Sequence, residues 1–339
     1  MPPKANLPRI AVFTTGGTIA MKRDPHSGAA IPAVNGADLV AAIPGMAELA
    51  RIDVYEVCNL PSDYMGPTQW LSLHQEISAV LADEAVNGAI VTHGTDTLEE
   101  TAFFLDLSLN SPKPLVVVGA QRNASEPDSD GPRNLFNAVK VASDKQSQGQ
   151  GVLVVMNNRI SAARDVTKSH TLNLAGFQAG DSGYLGYVDE RGVCFYRPQA
   201  HRQPLASVQL NRQTLTRKSV LARVDIIAMY AGADGGLFDA ALTQGAAGIV
   251  VQALGAGNVN RAFYQAIQRA IAQGVVVVIA TRVPDGRIAP VYGYEGGGQT
   301  LLDAGAILAG ELSPQKARIV LMLALQQGLS GDALQAHFY

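Results

Sequence analysis

Charge is scarce in this chain. Only 16% of its 339 residues are Asp, Glu, Lys or Arg, and 26 basic side chains face 29 acidic ones for a net charge of −3. No basic run is present to grip phosphates, so no nucleic-acid partner is expected. The two cysteines, Cys58 and Cys194, sit in no Cys-x-x-Cys or metal-ligand pattern. That spacing excludes a disulfide framework and a cysteine-based zinc site, and each thiol is expected to pack as a small apolar side chain. The wholly apolar runs are too short to span a bilayer, so no membrane association is expected. The start, MPPKANLPRIAVF, has no apolar stretch of signal-peptide length and no small-residue cleavage site before the first strand. A cytoplasmic location follows as the expectation, although a processed periplasmic form that had lost its leader would read the same way.

What is abundant is apolar surface to bury. At 47% apolar residues the chain can fill a large core and exceeds the usual size of one domain. Apolar runs that read as buried strands, Arg9 to Thr14, Arg51 to Val57, Gly88 to Thr92, Leu115 to Gly119 and Gly151 to Met156, alternate with helical stretches. The helices are expected over Ala37 to Ile43, Pro67 to Val86, Thr97 to Leu107 and Pro132 to Asp144. Pro67 and Pro132 suit a first helical turn, and Thr97 with Glu100 has capping-box spacing. From Arg197 to Lys218 the pattern breaks into an aperiodic polar stretch, after which strands at Val224 to Met229, Gly248 to Val251 and Val275 to Ala280 alternate with helices at Phe238 to Gln244 and Arg261 to Gln273. Final helices are expected over Pro314 to Gln327 and Asp332 to Phe338. The fold class is therefore α/β: a larger N-terminal domain, 1–200, whose mainly parallel sheet is flanked by helices, a linker at 201–221, and a smaller C-terminal parallel-sheet domain, 222–339.

Two threonine-bearing loops, TTGGTIA at 14–20 and HGTDTLEET at 93–101, each follow a strand and open a helical segment. Both should meet in one crevice at the carboxyl ends of parallel strands. Paired glycines let the backbone turn sharply and leave amide N–H groups facing a ligand, which suits an oxyanion or carboxylate site beside the hydroxyl of Thr18. The first loop lacks the third glycine of a dinucleotide fingerprint and the lysine of a phosphate loop, so neither nucleotide reading is supported. Thr95 or Asp96 could simply cap the following helix. Threonine ionises poorly by itself, and neither His93 nor Asp96 is an obvious base for Thr18. Beyond the strand GVLVVM, the segment NNRISAARDVTKSH crowds Arg164, Asp165 and Lys168 among hydroxyls. A buried lysine there can lose its proton and act as a base, whereas a loop lysine is ordinarily a solvated charge.

Together, TTGGTIA, HGTDTLEETAFFLDL, DGPRNLFNAV at 130–139, GVLVVMN at 151–157, RDVTK at 164–168 and PQKAR at 314–318 resemble the bacterial-type L-asparaginases and glutaminase-asparaginases, in consistent order from about residue 9 to the carboxyl terminus. The resemblance implies hydrolysis of L-asparagine to L-aspartate and ammonia without a metal or organic cofactor, with L-glutamine as a possible side substrate. It assigns nucleophilic attack to Thr18, through an acyl-enzyme that water releases. It assigns the second catalytic group to Thr95, Asp96 and Lys168, with the lysine adjusting threonine protonation and Asp96 also holding the substrate α-amino group. Ser62, in NLPSDYMG, stands at the position that binds the α-carboxylate, with Gly94 and Ala120 close to the ligand. Asn258, in GAGNVN, matches an asparagine contributed by the second domain of a neighbouring subunit. The resemblance thus implies a tetramer built as a dimer of dimers, with each site shared across an intimate dimer.

Three departures stand out. The family brings a tyrosine near the nucleophile on a mobile loop, yet Met21 to Asn35 holds none, and Ala29 falls nearest that position. Asp63 replaces the usual Gln or Glu, which shortens the contact to the α-amino group. Glu295 reaches the position of the partner-contributed glutamate only with a two-residue gap. These departures keep open a non-catalytic amino-acid-binding or sensing protein. An amide-hydrolysing subunit of a tRNA amidotransferase, which contains a related domain, ranks last because the chain has neither an added amino-terminal domain nor a basic face.

Overall fold

A computed structural model describes residues 7–24, 26–27, 29–32, 36–199 and 215–338. The chain divides into two compact units, Met1–Ser219 and Val220–Tyr339. Of the expected linker, residues 201–214 lie outside the described residues, as do residues 1–6 at the start.

The first unit is built on an eight-stranded sheet. Its strands run in the order Gly192–Phe195, Gly186–Asp189, Arg159–Ala162, Val152–Met156, Leu115–Val118, Gly88–Thr92, Arg9–Gly16 and Arg51–Leu60. The five from Val152–Met156 to Arg51–Leu60 are parallel and the other three antiparallel. The continuous apolar runs follow from burial on both faces: all five residues of Gly88–Thr92 are buried. Because successive strand residues face opposite ways, Ile10 and Val12 meet Leu135, Ala138 and Val139 of the helix Gly131–Ser143. Ala11 and Phe13 face the other side of the sheet, where helices Pro67–Leu81 and Leu98–Ser108 lie. The expected α/β class is what the chain adopts.

The Arg9–Gly16 strand has Arg51–Leu60 on one side and Gly88–Thr92 on the other. The direction of strand addition reverses there, which opens a crevice at the carboxyl ends of both neighbours. Thr14 pairs in register with Thr92, so TTGGT and HGTD leave the sheet at the same level.

Several boundaries differ from the sequence reading. The helix expected over Pro67 to Val86 ends at Leu81. Asp83 accepts the Ala85 N–H at 2.9 Å, an Asp-centred turn that competes with another helical turn. The Thr97–Glu100 capping box does not form: the Thr97 hydroxyl donates to the Ser62 carbonyl at 2.6 Å instead, so this helix start anchors a neighbouring loop. The segment after GVLVVMN is not a plain loop. Asn157 and Asn158 both take positive φ, 48° and 61°, in a two-residue turn that folds Arg159–Ala162 back on Val152–Met156.

The second unit has four parallel strands in the order Val224–Ala228, Gly248–Ala253, Val276–Thr281 and Ile307–Leu308. Phe238 and Phe263, from the helices Gly236–Thr243 and Arg261–Ala272, meet edge-on at 5.1 Å in its core. The last helix covers Gly331–Gln335, shorter than the stretch to Phe338 read from sequence. Among the described residues no helix is long and apolar enough to cross a membrane.

Candidate active site

The site begins with glycines that touch. Gly16 and Gly17 take φ of 99° and 81°, conformations costly for any other residue, and turn the chain off the first strand into a short 3₁₀ turn, Thr18–Ala20. A Cβ on Gly17 would lie 2.3 Å from Gly94 Cα, and one on Gly94 would lie 2.7 Å from Ser62 Oγ. Three backbone segments, 16–18, 62 and 93–95, therefore pack at contact distance. A fourth joins them, because a Cβ on Gly131 would meet Ile19 Cγ1 at 3.0 Å and the buried Ala120 Cβ at 3.4 Å.

Ser62 is buried, and its hydroxyl accepts the Asp96 N–H at 3.2 Å. Its neighbour Asp63 is exposed, in the 3₁₀ turn Ser62–Tyr64. Lys168 reaches in from the two-residue strand Thr167–Lys168, which pairs antiparallel with Phe177–Gln178. Its ammonium donates to Thr95 Oγ1 at 2.8 Å and to Asp96 Oδ1 at 2.6 Å. The Lys168 side chain is 16% exposed while that of Asp96 is 66% exposed, so the lysine sits inside with one flank open to solvent. Lys168 is not the solvated loop charge that sequence left open.

Behind these groups lie residues to which the sequence assigned no role. Buried Glu99 accepts the Thr167 hydroxyl at 2.7 Å and the Lys168 backbone N–H at 2.5 Å, both through Oε2. Asp130 accepts the N–H groups of Gln121 and Arg122 at 3.1 and 2.9 Å, fixing the loop after Ala120. Asn134 donates to the Gly119 carbonyl at 3.0 Å and accepts the Asn157 N–H at 3.0 Å, tying two strand ends together. The acidic residues of HGTDTLEET and DGPRN stand in the motifs, but no spacing says that they reach across to other loops.

His93 is a structural group. Its ring is fully buried, and burial lowers its pKa to about 4, so it is neutral at physiological pH. Trp70 Nε1–H donates to Thr101 Oγ1, whose own hydrogen then goes to His93 Nε2, leaving Nδ1–H to donate to the Gly94 carbonyl at 2.7 Å. Both ring nitrogens are occupied, which agrees with the sequence finding no base role for His93 toward Thr18.

Between Met21 and Asn35 the strand Met21–Arg23 pairs antiparallel with Ala30–Pro32, and the Ala124 N–H donates to the Met21 carbonyl at 3.0 Å. Ala29 is exposed, and residues 25, 28 and 33–35 lie outside the described residues. In the second unit, half-buried Asn258 makes a bridge with Leu254, and its Oδ1, itself shielded from solvent, has no hydrogen-bond partner among the described residues. Glu295 pairs with Arg261 at 2.7 Å. In the first unit, Thr18, Ser62, Gly94, Thr95, Asp96 and Lys168 lie on or against the touching segments, Ala120 packs against Gly131, and Asp63 is exposed beside Ser62, while Asn258 and Glu295 belong to the second. Among the described residues no cluster of His, Cys, Asp and Glu could hold a metal.

Chemically, the arrangement offers a hydroxyl at a glycine-rich turn, a buried hydroxyl in contact with an ammonium, and backbone amides around both. Such a set suits attack on a carbonyl carbon with the developing oxyanion held by N–H donors.

Along nearly its whole length the chain is similar to known proteins. Residues 9–201 match the family described as Asparaginase, N-terminal, and residues 223–338 match the Glutaminase/Asparaginase C-terminal domain. A Haemophilus influenzae protein named probable L-asparaginase periplasmic is 38% identical, over 98% of this chain and 93% of its own length. A Deinococcus radiodurans protein named probable L-asparaginase is 39% identical over 98% of each chain. The crystal structure of a probable cytoplasmic L-asparaginase from Campylobacter jejuni superposes with a TM-score of 0.84 at 34% identity, covering 98% of this chain and 99% of that one.

Proposed function

This chain belongs to the asparaginase family, and from that premise we propose that it hydrolyses the side-chain amide of L-asparagine to L-aspartate and ammonia. The observation that carries the reading is the Lys168 ammonium held between Thr95 Oγ1 and Asp96 Oδ1, next to the contact of Gly17 with Gly94. Thr18 Oγ attacks the amide carbon, and backbone N–H groups of the glycine loops hold the oxyanion. Collapse of that intermediate breaks the C–N bond, and the proton taken from the hydroxyl leaves with ammonia. Water then attacks the acyl-threonine ester, with Thr95 and Lys168 handling its proton, and releases L-aspartate. Ser62 binds the α-carboxylate, and Asp96 with Asp63 binds the α-amino group. Glutamine, one methylene longer, is the expected weak substrate, since one methylene is worth about 1–3 kcal/mol in a fitted pocket.

A second copy completes the site in this proposal. A buried amide oxygen without a partner costs about 1–3 kcal/mol, and Asn258 Oδ1 in that state fits a residue whose donor comes from a neighbouring subunit. Glu295 takes the corresponding second place, in a tetramer of paired dimers. The location we propose is cytoplasmic, checked by cell fractionation.

The decisive experiment measures ammonia release from L-Asn, D-Asn, L-Gln and a β-aspartyl dipeptide with the wild type and Thr18→Ala. Turnover of L-Asn that disappears in a folded Thr18→Ala variant supports the reading, and undiminished turnover sinks it. Hydrolysis of the dipeptide alone would overturn the substrate assignment. The absence of tyrosine from Met21 to Asn35 and the shortened Asp63 favour one alternative, an amino-acid sensor without turnover. Calorimetric binding of L-Asn with no ammonia over hours would establish it.

A further inference from the structure

We propose that Glu99 is a positioning residue for the reaction, fixing Lys168 where its ammonium can exchange a proton with Thr95. The inference rests on the assignment of Thr95 and Lys168 under the proposed function and goes beyond it by naming the group that makes their contact persistent.

Lys168 stands on a weak platform. Among the described residues, Thr167–Lys168 pairs only with Phe177–Gln178, a two-residue ladder outside the main sheet. Isolated two-stranded pairings are marginal in water even when longer. A lysine side chain has many rotamers, so a loosely held backbone would spread Nζ over several ångströms. Glu99 supplies the missing anchor. One buried carboxylate oxygen accepts both the Lys168 N–H and the Thr167 hydroxyl, 69 and 68 residues away in the chain. Lys168 is thereby gripped at its backbone by Glu99 and at its ammonium by Thr95 and Asp96.

Anchor and target share one rigid body. Glu99 is the second residue of the helix Leu98–Ser108, and Thr95 and Asp96 lie immediately before that helix. A carboxylate in the first helical turn is favoured by the helix dipole. An acid that merely capped this helix would accept the helix's own N–H groups. Among the described residues the two donors that Glu99 accepts lie instead on the lysine-bearing strand, so a shift of the helix start carries the lysine with its partners.

The test uses the full-length protein and four variants: Glu99→Ala, Glu99→Gln, Lys168→Met and the Glu99→Ala/Lys168→Met double variant. Glu99→Ala should lower kcat for L-asparagine by about 30-fold or more, as misplacement of a reacting group does, with KM within roughly threefold. Glu99→Gln should stay within about fivefold of wild type, because its amide oxygen can accept both donors. Added to Lys168→Met, Glu99→Ala should cost less than about twofold, since residues acting through one another are not additive. If Glu99→Ala does not fold, Glu99→Asp serves instead: its withdrawn carboxylate should lower kcat by about 10-fold without changing KM. A folded Glu99→Ala or Glu99→Asp variant with wild-type kcat overturns the inference. So does equal loss in Glu99→Ala and Glu99→Gln, or an undiminished Glu99→Ala effect in the Lys168→Met background. Full activity of Lys168→Met would instead remove the lysine from the proposed mechanism and this inference with it, which separates the two failures.

Discussion

Lowering the pH to 5 should weaken the first unit through His93. The ring is fully buried with both nitrogens engaged, and its pKa falls from 6.5 to about 4 because burial penalises the imidazolium. Between those values the unfolded chain binds a proton that the folded one does not, so stability rises with pH across the window from 4 to 6.5. The contribution is fully present above pH 6.5, declines as pH falls, and is exhausted below about pH 4. With 1.36 kcal/mol per unit, the loss is about 2 kcal/mol at pH 5 and about 3 kcal/mol below pH 4. For a unit of this size 2 kcal/mol corresponds to roughly 4–8 °C of thermal midpoint. Calorimetric scans of wild type and His93→Gln at pH 7.5 and pH 5 isolate the term, because carboxylates and the acid-sensitive His337 titrate in both proteins. Wild type should lose about 2 kcal/mol more than the variant. Equal losses, or a ring-nitrogen NMR titration with a midpoint above 6, would refute the account.

Other substitutions test the packing around the site. Gly17→Ala places a methyl 2.3 Å from Gly94 backbone at φ +81°, so it should cost about 1–3 kcal/mol and lower kcat/KM by at least about tenfold. Gly149→Ala is its control, because φ there is +73° with nothing within 4 Å, and activity assays should find it unchanged. Asn134→Ala should lower the thermal midpoint, since the Gly119 carbonyl and the Asn157 N–H each lose a partner worth about 1–3 kcal/mol when buried. Trp70→Phe removes one donor to Thr101 and should cost about 1 kcal/mol in denaturant unfolding while leaving kcat unchanged.

The sequence by itself determined the alternation of buried strands and helices, because burial imposes a period on local residues and composition reports it directly. Gly88–Thr92 is read to the residue for that reason. The sequence also carried the motifs of a glycine-rich loop and its companion, since the positive φ of Gly16 and Gly17 and their close approach to other backbone favour glycine there. Short elements escaped it: Arg159–Ala162 and Thr167–Lys168 are too brief to show a period, and the turn at Asn157 and Asn158 reads as loop until its partner strand is seen. Partners were not legible in local spacing. Thr97 looked like a cap and instead holds Ser62, the residues around Lys168 left it open between a surface charge and a base while the family resemblance alone set it beside Thr95, and Glu99 had no visible target. Only the tertiary structure decided these pairings, because it sets which strand ends share the crevice beside Arg9–Gly16, and that is a property of sheet order rather than of any local run of residues.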